Sequence, residues 1–132
     1  MRKKMWLFTS WILCFGLIIP LAAQPALDIS GIWAGKAGLN DGGTDSLTVT
    51  LKKDGKKYAG TIVDELGLAP EGTALKDITL QGKNLKLSFQ AKENTEILDI
   101  KVSLTISGDT MTGRWEDAVH GTGGSVELAR KK

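Results

Sequence analysis

The 132-residue sequence contains few side chains that suit acid–base or nucleophilic chemistry. His120 is its one histidine, and Cys14, its one cysteine, lies in an apolar N-terminal stretch. The serines from Ser46 onward stand at ordinary strand or turn positions, without the base and sharp elbow that a nucleophilic serine needs. We therefore predict no catalytic residue and no enzyme activity.

Metal ligation is as weakly indicated as catalysis. His120 follows Glu116 and Asp117 in a polar loop, which is typical of a solvated histidine rather than of a metal site with several ligands. Residues 40–45 contain two carboxylates and two glycines, like part of a calcium loop, but the later acidic ligand is missing. We predict no metal and no cofactor.

The residues best suited to chemistry are those that could bind a ligand. A small-molecule site adds a few polar groups to an apolar wall, and the polar groups evident here are the Tyr58 hydroxyl and the indole N–H groups of Trp33 and Trp115. Leu66 and Leu68 lie in the longest irregular connection, residues 64–73, where they would be exposed unless they cover a cavity or meet a partner. The alternative is a loop that folds back and plugs its own domain.

Short runs of alternating apolar and polar residues must position these side chains. The clearest runs, residues 47–51 and 98–106, are typical of half-buried strands. Asp54-Gly55 predicts a tight hairpin, and no segment after residue 23 shows a helical period. The sequence thus predicts an all-β domain of about eight strands.

Strands joined only by short turns are usually antiparallel neighbours, which favours an up-and-down meander. Closing such a meander into a small barrel removes its exposed edges; a two-sheet β-sandwich is the alternative. The interior is predicted to be mostly aliphatic, and two interpretations are open. Side chains fill it, or they line an apolar cavity.

Two Gly-x-Trp tripeptides bracket the domain: Gly31-Ile32-Trp33 and Gly113-Arg114-Trp115. With the Asp54-Gly55 turn, they make the chain resemble small lipocalin-like barrels of the calycin type, and also small exported bacterial proteins of unassigned function. The resemblance implies that Trp33 closes one barrel end beneath an arginine from the last part of the chain, for which Arg114 is the candidate. Gly31 and Gly113 would belong to the same closure.

The resemblance does not extend to a ligand class. True lipocalins are longer and usually keep a disulfide, whereas this chain has no cysteine after residue 14. Avidin-type biotin pockets use a cage of several tryptophans that this chain cannot supply. Biotin and the ligands of true lipocalins are therefore not expected from the resemblance.

Residues 1–23 have the pattern of a secretory signal peptide, with a basic start, an apolar middle and a small-residue end. Residues 24–132 then form one domain in the periplasm or outside the cell, without stable membrane insertion. The apolar stretch 5–23 is 19 residues long, close to the ~20 that cross a bilayer. An uncleaved N-terminal membrane anchor is therefore the alternative.

The charge of the domain excludes one large class of partner. The leader contains three of the 17 basic residues and none of the 15 acidic ones, so residues 24–132 are nearly neutral. Nucleic-acid binding depends on clustered positive charge, and the densest basic patch, residues 52–57, lies at a predicted hairpin tip where lysines discourage edge pairing. We predict no nucleic-acid partner.

These observations favour a non-enzymatic exported β-barrel that binds a small apolar ligand or a protein partner at one barrel end. Tyr58, Leu66, Leu68 and Trp115 are the predicted binding residues. The alternative is a secreted interaction module, such as an inhibitor or accessory domain of an exported enzyme.

Overall fold

The alternating runs form strands in the computed structural model, which describes residues 27–132. The predicted signal peptide and its alternative, an N-terminal anchor, lie outside the described residues. Nine strands follow one another: β1 Gly31–Gly38, β2 Thr44–Asp54, β3 Lys57–Asp64, β4 Thr73–Ala74, β5 Lys76–Gln81, β6 Asn84–Glu93, β7 Glu96–Ser107, β8 Thr110–Asp117 and β9 Thr122–Arg130. Within residues 27–132, no helix is long and apolar enough to cross a membrane.

All nine strands belong to one antiparallel sheet with the order β4-β3-β2-β1-β9-β8-β7-β6-β5. The sheet wraps into a nearly closed barrel, because the first strand pairs with the last, from Trp33↔Arg130 to Ala37↔Val126. This confirms the predicted all-β meander and excludes the two-sheet sandwich. The strand beyond the predicted eight is β4, a two-residue ladder with β3 that directly precedes β5.

A seam separates the two edges of the sheet, and two backbone hydrogen bonds bridge it. The Leu75 N–H donates to the Gly60 carbonyl at 2.9 Å, and the Lys92 N–H donates to the Leu68 carbonyl at 2.8 Å. The second bond joins β6 to the connection 64–73. That connection therefore completes the barrel wall where the strands leave a gap.

Tight hairpins join β2 to β3, β5 to β6, and β7 to β8. Their closing pairs are Asp54↔Lys57, Gln81↔Asn84 and Ser107↔Thr110, and each turn begins with a glycine at positive φ, as two-residue hairpin loops favour. The hairpin predicted at Asp54-Gly55 is confirmed.

Alternate connections of a meander lie at the same end, so the barrel has two distinct ends. We call the end with these three hairpins, residues 27–30 and the C-terminus the closed end. The open end carries the connections 38–44, 64–73, 93–96 and 117–122. The two ends differ in packing and in charge.

The closed end is sealed by Trp33, which is completely buried. Its indole N–H donates to the Ile29 carbonyl at 3.0 Å, and the Arg130 guanidinium lies 4.4 Å from the centre of its ring. Arg130 also donates to the carbonyls of Ser30 and Asp28. Arg130 therefore joins the N-terminal segment to the last strand across the buried ring.

The prediction that Arg114 covers Trp33 is wrong. Arg130 stands directly opposite Trp33 in the β1–β9 register, whereas Arg114 is an exposed residue of β8 that faces outward. β9 separates β1 from β8, so the two Gly-x-Trp motifs do not meet. Of the four predicted closure residues, Gly31 and Trp33 lie at the closed end, and Gly113 and Arg114 do not take part in its closure.

Gly113 and Gly60 allow close strand approach instead of leaving room in the barrel. A Cβ at Gly113 would collide with the Ser103 carbonyl oxygen, and one at Gly60 with the Thr50 carbonyl oxygen. A Cβ at Gly35 would likewise collide with the Glu127 carbonyl oxygen. Such glycines let a sheet bend sharply into a barrel.

Candidate ligand-binding cavity

A cavity of about 790 Å³ extends into the barrel from the open end. Its deeper walls are apolar and include Val49, Leu87, Phe89, Ile100, Val102 and Leu128. The volume lies within the range of small-molecule sites, roughly 300–1,000 Å³. Of the two interpretations of the interior, the structure therefore shows the apolar cavity, with filling confined to the closed end.

Three of the four predicted binding residues line this cavity: Leu66, Leu68 and Trp115. Tyr58 does not, so the structure separates it from the other three predicted residues. Its hydroxyl accepts a hydrogen bond from the Ile29 N–H at 3.3 Å, which places it at the closed end. Tyr58 follows the hairpin turn at the start of β3, so its side chain faces inward but far from the open end.

Trp115 forms part of the cavity wall near the open end, where it is half-buried. Its indole N–H donates to the Gly38 carbonyl at 2.8 Å. The Trp33 N–H is likewise bonded to backbone, so neither indole offers a free donor to a ligand. Trp115 presents an aromatic surface to the cavity, and its fluorescence is expected to report on the contents.

Two carboxylates shape the connection 64–73. Asp64 accepts hydrogen bonds from the N–H groups of Leu68, at 3.2 Å, and Ala69, at 2.7 Å. Asp45, on the neighbouring strand, accepts one from Leu66 at 3.2 Å. These bonds turn Leu68 toward the interior and leave Leu66 at the rim with 58% of its surface exposed.

Asp45 and Asp64 also interact with each other. Burial raises the pKa of the Asp45 carboxyl to about 6, and a hydrogen bond to Asp64 adds to the effect. Two like charges this close resist joint ionisation, so the pair holds a proton more readily than either acid would alone. The connection 64–73 is thus hydrogen-bonded to Asp45, a carboxyl whose pKa is about 6.

His120 forms a second cluster across the mouth of the cavity. Its Nδ1 lies 2.7 Å from the carboxylate of Asp117, which is 2% exposed, and its Nε2 pairs with Glu96. The hydrogen bond with Asp117 raises the pKa of the imidazole, and the charge of Glu96 acts in the same direction. The imidazole links the connection 117–122 to the start of β7.

The carboxylates of the cavity were missed by sequence reasoning, although the alternation contains the signal. Asp45 continues the inward-facing row of Leu47 and Val49, and Asp117 continues that of Met111 and Trp115. Both residues stand at strand ends, where the sequence pattern alone is also typical of a polar loop or turn residue. Following each inward row to its last residue identifies them.

No group of three or more potential ligands among residues 27–132 is arranged to hold a metal ion. Comparison with protein-family models, with curated proteins and with solved structures finds no match to this chain.

Proposed function

We propose that this protein is a non-enzymatic exported binding protein that takes a small, mainly apolar molecule into the open-end cavity. The observation that carries the proposal is the 790 Å³ cavity with apolar walls. A barrel of this size can fill its interior with side chains, and filling would bury more apolar surface. A hollow that sacrifices this stabilisation is best explained by a ligand.

The construction of the two ends supports the same function. The closed end is sealed by Trp33 and Arg130, while the opposite end opens among four connections. This one-ended cup is the arrangement expected from the resemblance to lipocalin-like barrels. The leader-like pattern of residues 1–23 favours action in the periplasm or outside the cell.

The test is a fluorescence titration with the neutral apolar probe N-phenyl-1-naphthylamine, followed by displacement with 1-decanol. Ala91 is buried and lines the cavity, so Ala91→Phe should fill part of it and weaken probe binding at least about tenfold. Gln90→Phe adds the same ring on the outer face of β6 and should bind like the wild type. Equal binding by both variants, or none by the wild type, would refute the proposal.

A protein partner at the open end is a second candidate, favoured by a specific observation. Leu66, Ile97 and Val119 expose 58%, 57% and 79% of their surfaces at or beside this end. Exposed apolar groups suit a protein interface, and the open end has three of the five large ones within residues 27–132, since Leu27 and Ile32 lie at the closed end. An exported enzyme captured by the wild type but not by a Leu66→Asp, Val119→Asp variant would support it, provided that probe binding is retained.

A further inference from the structure

The inward-facing rows of five strands each end in an acidic residue at the open end. These residues are Asp45 of β2, Asp64 of β3, Glu93 of β6, Glu96 of β7 and Asp117 of β8, and all five line the cavity. We call them the acidic ring. Below the ring the same rows continue with apolar side chains, so the ring marks the boundary between the apolar hollow and the mouth.

No lysine or arginine lines the cavity within residues 27–132. Ion pairs recorded for the ring in that part of the chain involve His120 alone, which contacts Glu96 and Asp117. Glu93 stands directly opposite Glu96 in the β6–β7 register, where like charges destabilise a sheet. The ring therefore keeps a negative charge that the protein only partly neutralises.

His120 shows how a positively charged group lies in the ring when its imidazole is protonated. Its imidazole bridges carboxylates from two different connections, with Asp117 on one nitrogen and Glu96 on the other. The bridge occupies one side of the mouth. Asp45 and Asp64, which interact with each other, and Glu93 have no such cationic partner among the described residues.

Charge is also divided between the two ends. The closed end gathers eight basic residues against the three acids Asp28, Asp54 and Asp109; the basic residues are Lys52, Lys53, Lys56, Lys57, Lys83, Arg130, Lys131 and Lys132. The connections of the open end contain acids, one histidine and no lysine or arginine, while Lys36 and Lys92 stand on strands that lead to them. A field with this direction draws positive groups toward the mouth and repels anions from it.

From this arrangement, and resting on the proposed function, we infer that the ligand is a cationic amphiphile. Its apolar body fills the hollow, and its positively charged head, an ammonium or a guanidinium group, lies among the carboxylates of the acidic ring. A fatty acid fits the apolar walls equally well, but its carboxylate would meet the ring. Discrimination between ligands therefore comes from the head group and not from the tail.

The test uses three ligands with a straight chain of ten carbons, counting the carboxyl carbon of decanoate: decyltrimethylammonium, 1-decanol and decanoate, each below its micelle concentration. Each displaces N-phenyl-1-naphthylamine from the wild-type protein at pH 7.5. We expect decyltrimethylammonium to bind at least about tenfold more tightly than 1-decanol, and decanoate to bind more weakly than the alcohol. Added salt should reduce the advantage of the cation, because the mouth is exposed to solvent.

Two matched variants test whether the acidic ring causes the preference for a cationic head group. Glu93→Gln removes one ring charge from an exposed side chain and should lower the affinity for decyltrimethylammonium severalfold while leaving that for 1-decanol unchanged. Glu127→Gln makes the same chemical change on the outer face of β9 and should leave both affinities unchanged. Asp45→Asn provides a second ring variant that keeps an acceptor for the Leu66 N–H.

The outcomes separate the inference from the function on which it rests. Equal affinity for all three ligands, or tightest binding of decanoate, would overturn the cationic preference and leave an apolar-ligand protein. A preference that Glu93→Gln and Glu127→Gln reduce equally would reflect net charge and also overturn the role of the ring. Failure of all three ligands to displace the probe, or of the probe to bind, would overturn both proposals.

Discussion

At the scale of single residues, the protonation of Asp45 couples the stability of the fold to pH. Its pKa is raised from 3.8 to about 6 by burial and by Asp64, so the folded protein takes up this proton more readily than the unfolded chain. The resulting stabilisation is fully present below pH 3.8 and is lost as the pH rises through 6. Above that pH, the buried Asp45 carboxyl is charged beside Asp64.

Replacing Asp45 by asparagine should therefore stabilise the protein at pH 8 and change little at pH 4. Asparagine keeps an acceptor for the Leu66 N–H and removes the repulsion with Asp64, a gain on the order of 2 kcal/mol at pH 8. Thermal unfolding followed at both pH values measures the difference. A variant with a lower Tm than the wild type at pH 8 would contradict this account of the pair.

Arg130 and Arg114 form a natural comparison at the same scale. Arg130→Met loses the contact with the Trp33 ring and the bonds to Ser30 and Asp28, which should cost about 2 kcal/mol of unfolding free energy. Arg114→Met alters an exposed outward side chain and should stay within about 0.5 kcal/mol of the wild type. Urea unfolding of both variants provides the measurement, and equal losses would argue against closure by Arg130.

At the scale of the strands, alternation predicted which residues face inward, and the short turns predicted the meander. Those properties depend on local spacing, so they could be obtained from one sequence. The arginine that covers Trp33 could not be predicted in this way, because its identity depends on the register between β1 and β9, which are far apart along the chain. Tyr58 shows a related limit. Alternation predicts which face of the strand a side chain lies on, but the barrel end at which it lies depends on the order of the hairpins.

Close strand approach gives a prediction at this scale. Gly113→Ala would place a Cβ against the Ser103 carbonyl oxygen of β7 and should destabilise the barrel by about 2–3 kcal/mol. Gly38→Ala makes the same change where the nearest atom is the flexible Ser125 hydroxyl, 3.0 Å away, and should be much milder. Comparison of the two Tm values checks this, and similar losses would show that backbone contact is not the cause.

At the scale of the whole molecule, the barrel is a cup with one sealed basic end and one open acidic end. The seam is bridged by the connection 64–73, whose N–H groups are bonded to Asp45 and Asp64. The cavity could not be predicted from composition, because filled and hollow barrels share the same apolar inward rows. Whether side chains meet across the centre depends on how widely the sheet curves.

The central claim is that an apolar molecule occupies this cup through its open end. Its most direct test is a two-dimensional ¹H–¹⁵N NMR titration of the domain, residues 24–132, with 1-decanol. We predict saturable shifts at amides of cavity-lining residues such as Leu87, Val102 and Leu128, and unchanged signals at Tyr58 and Gly82 of the closed end. Shifts that do not saturate, or that are spread over the outer faces of the strands, would contradict the account.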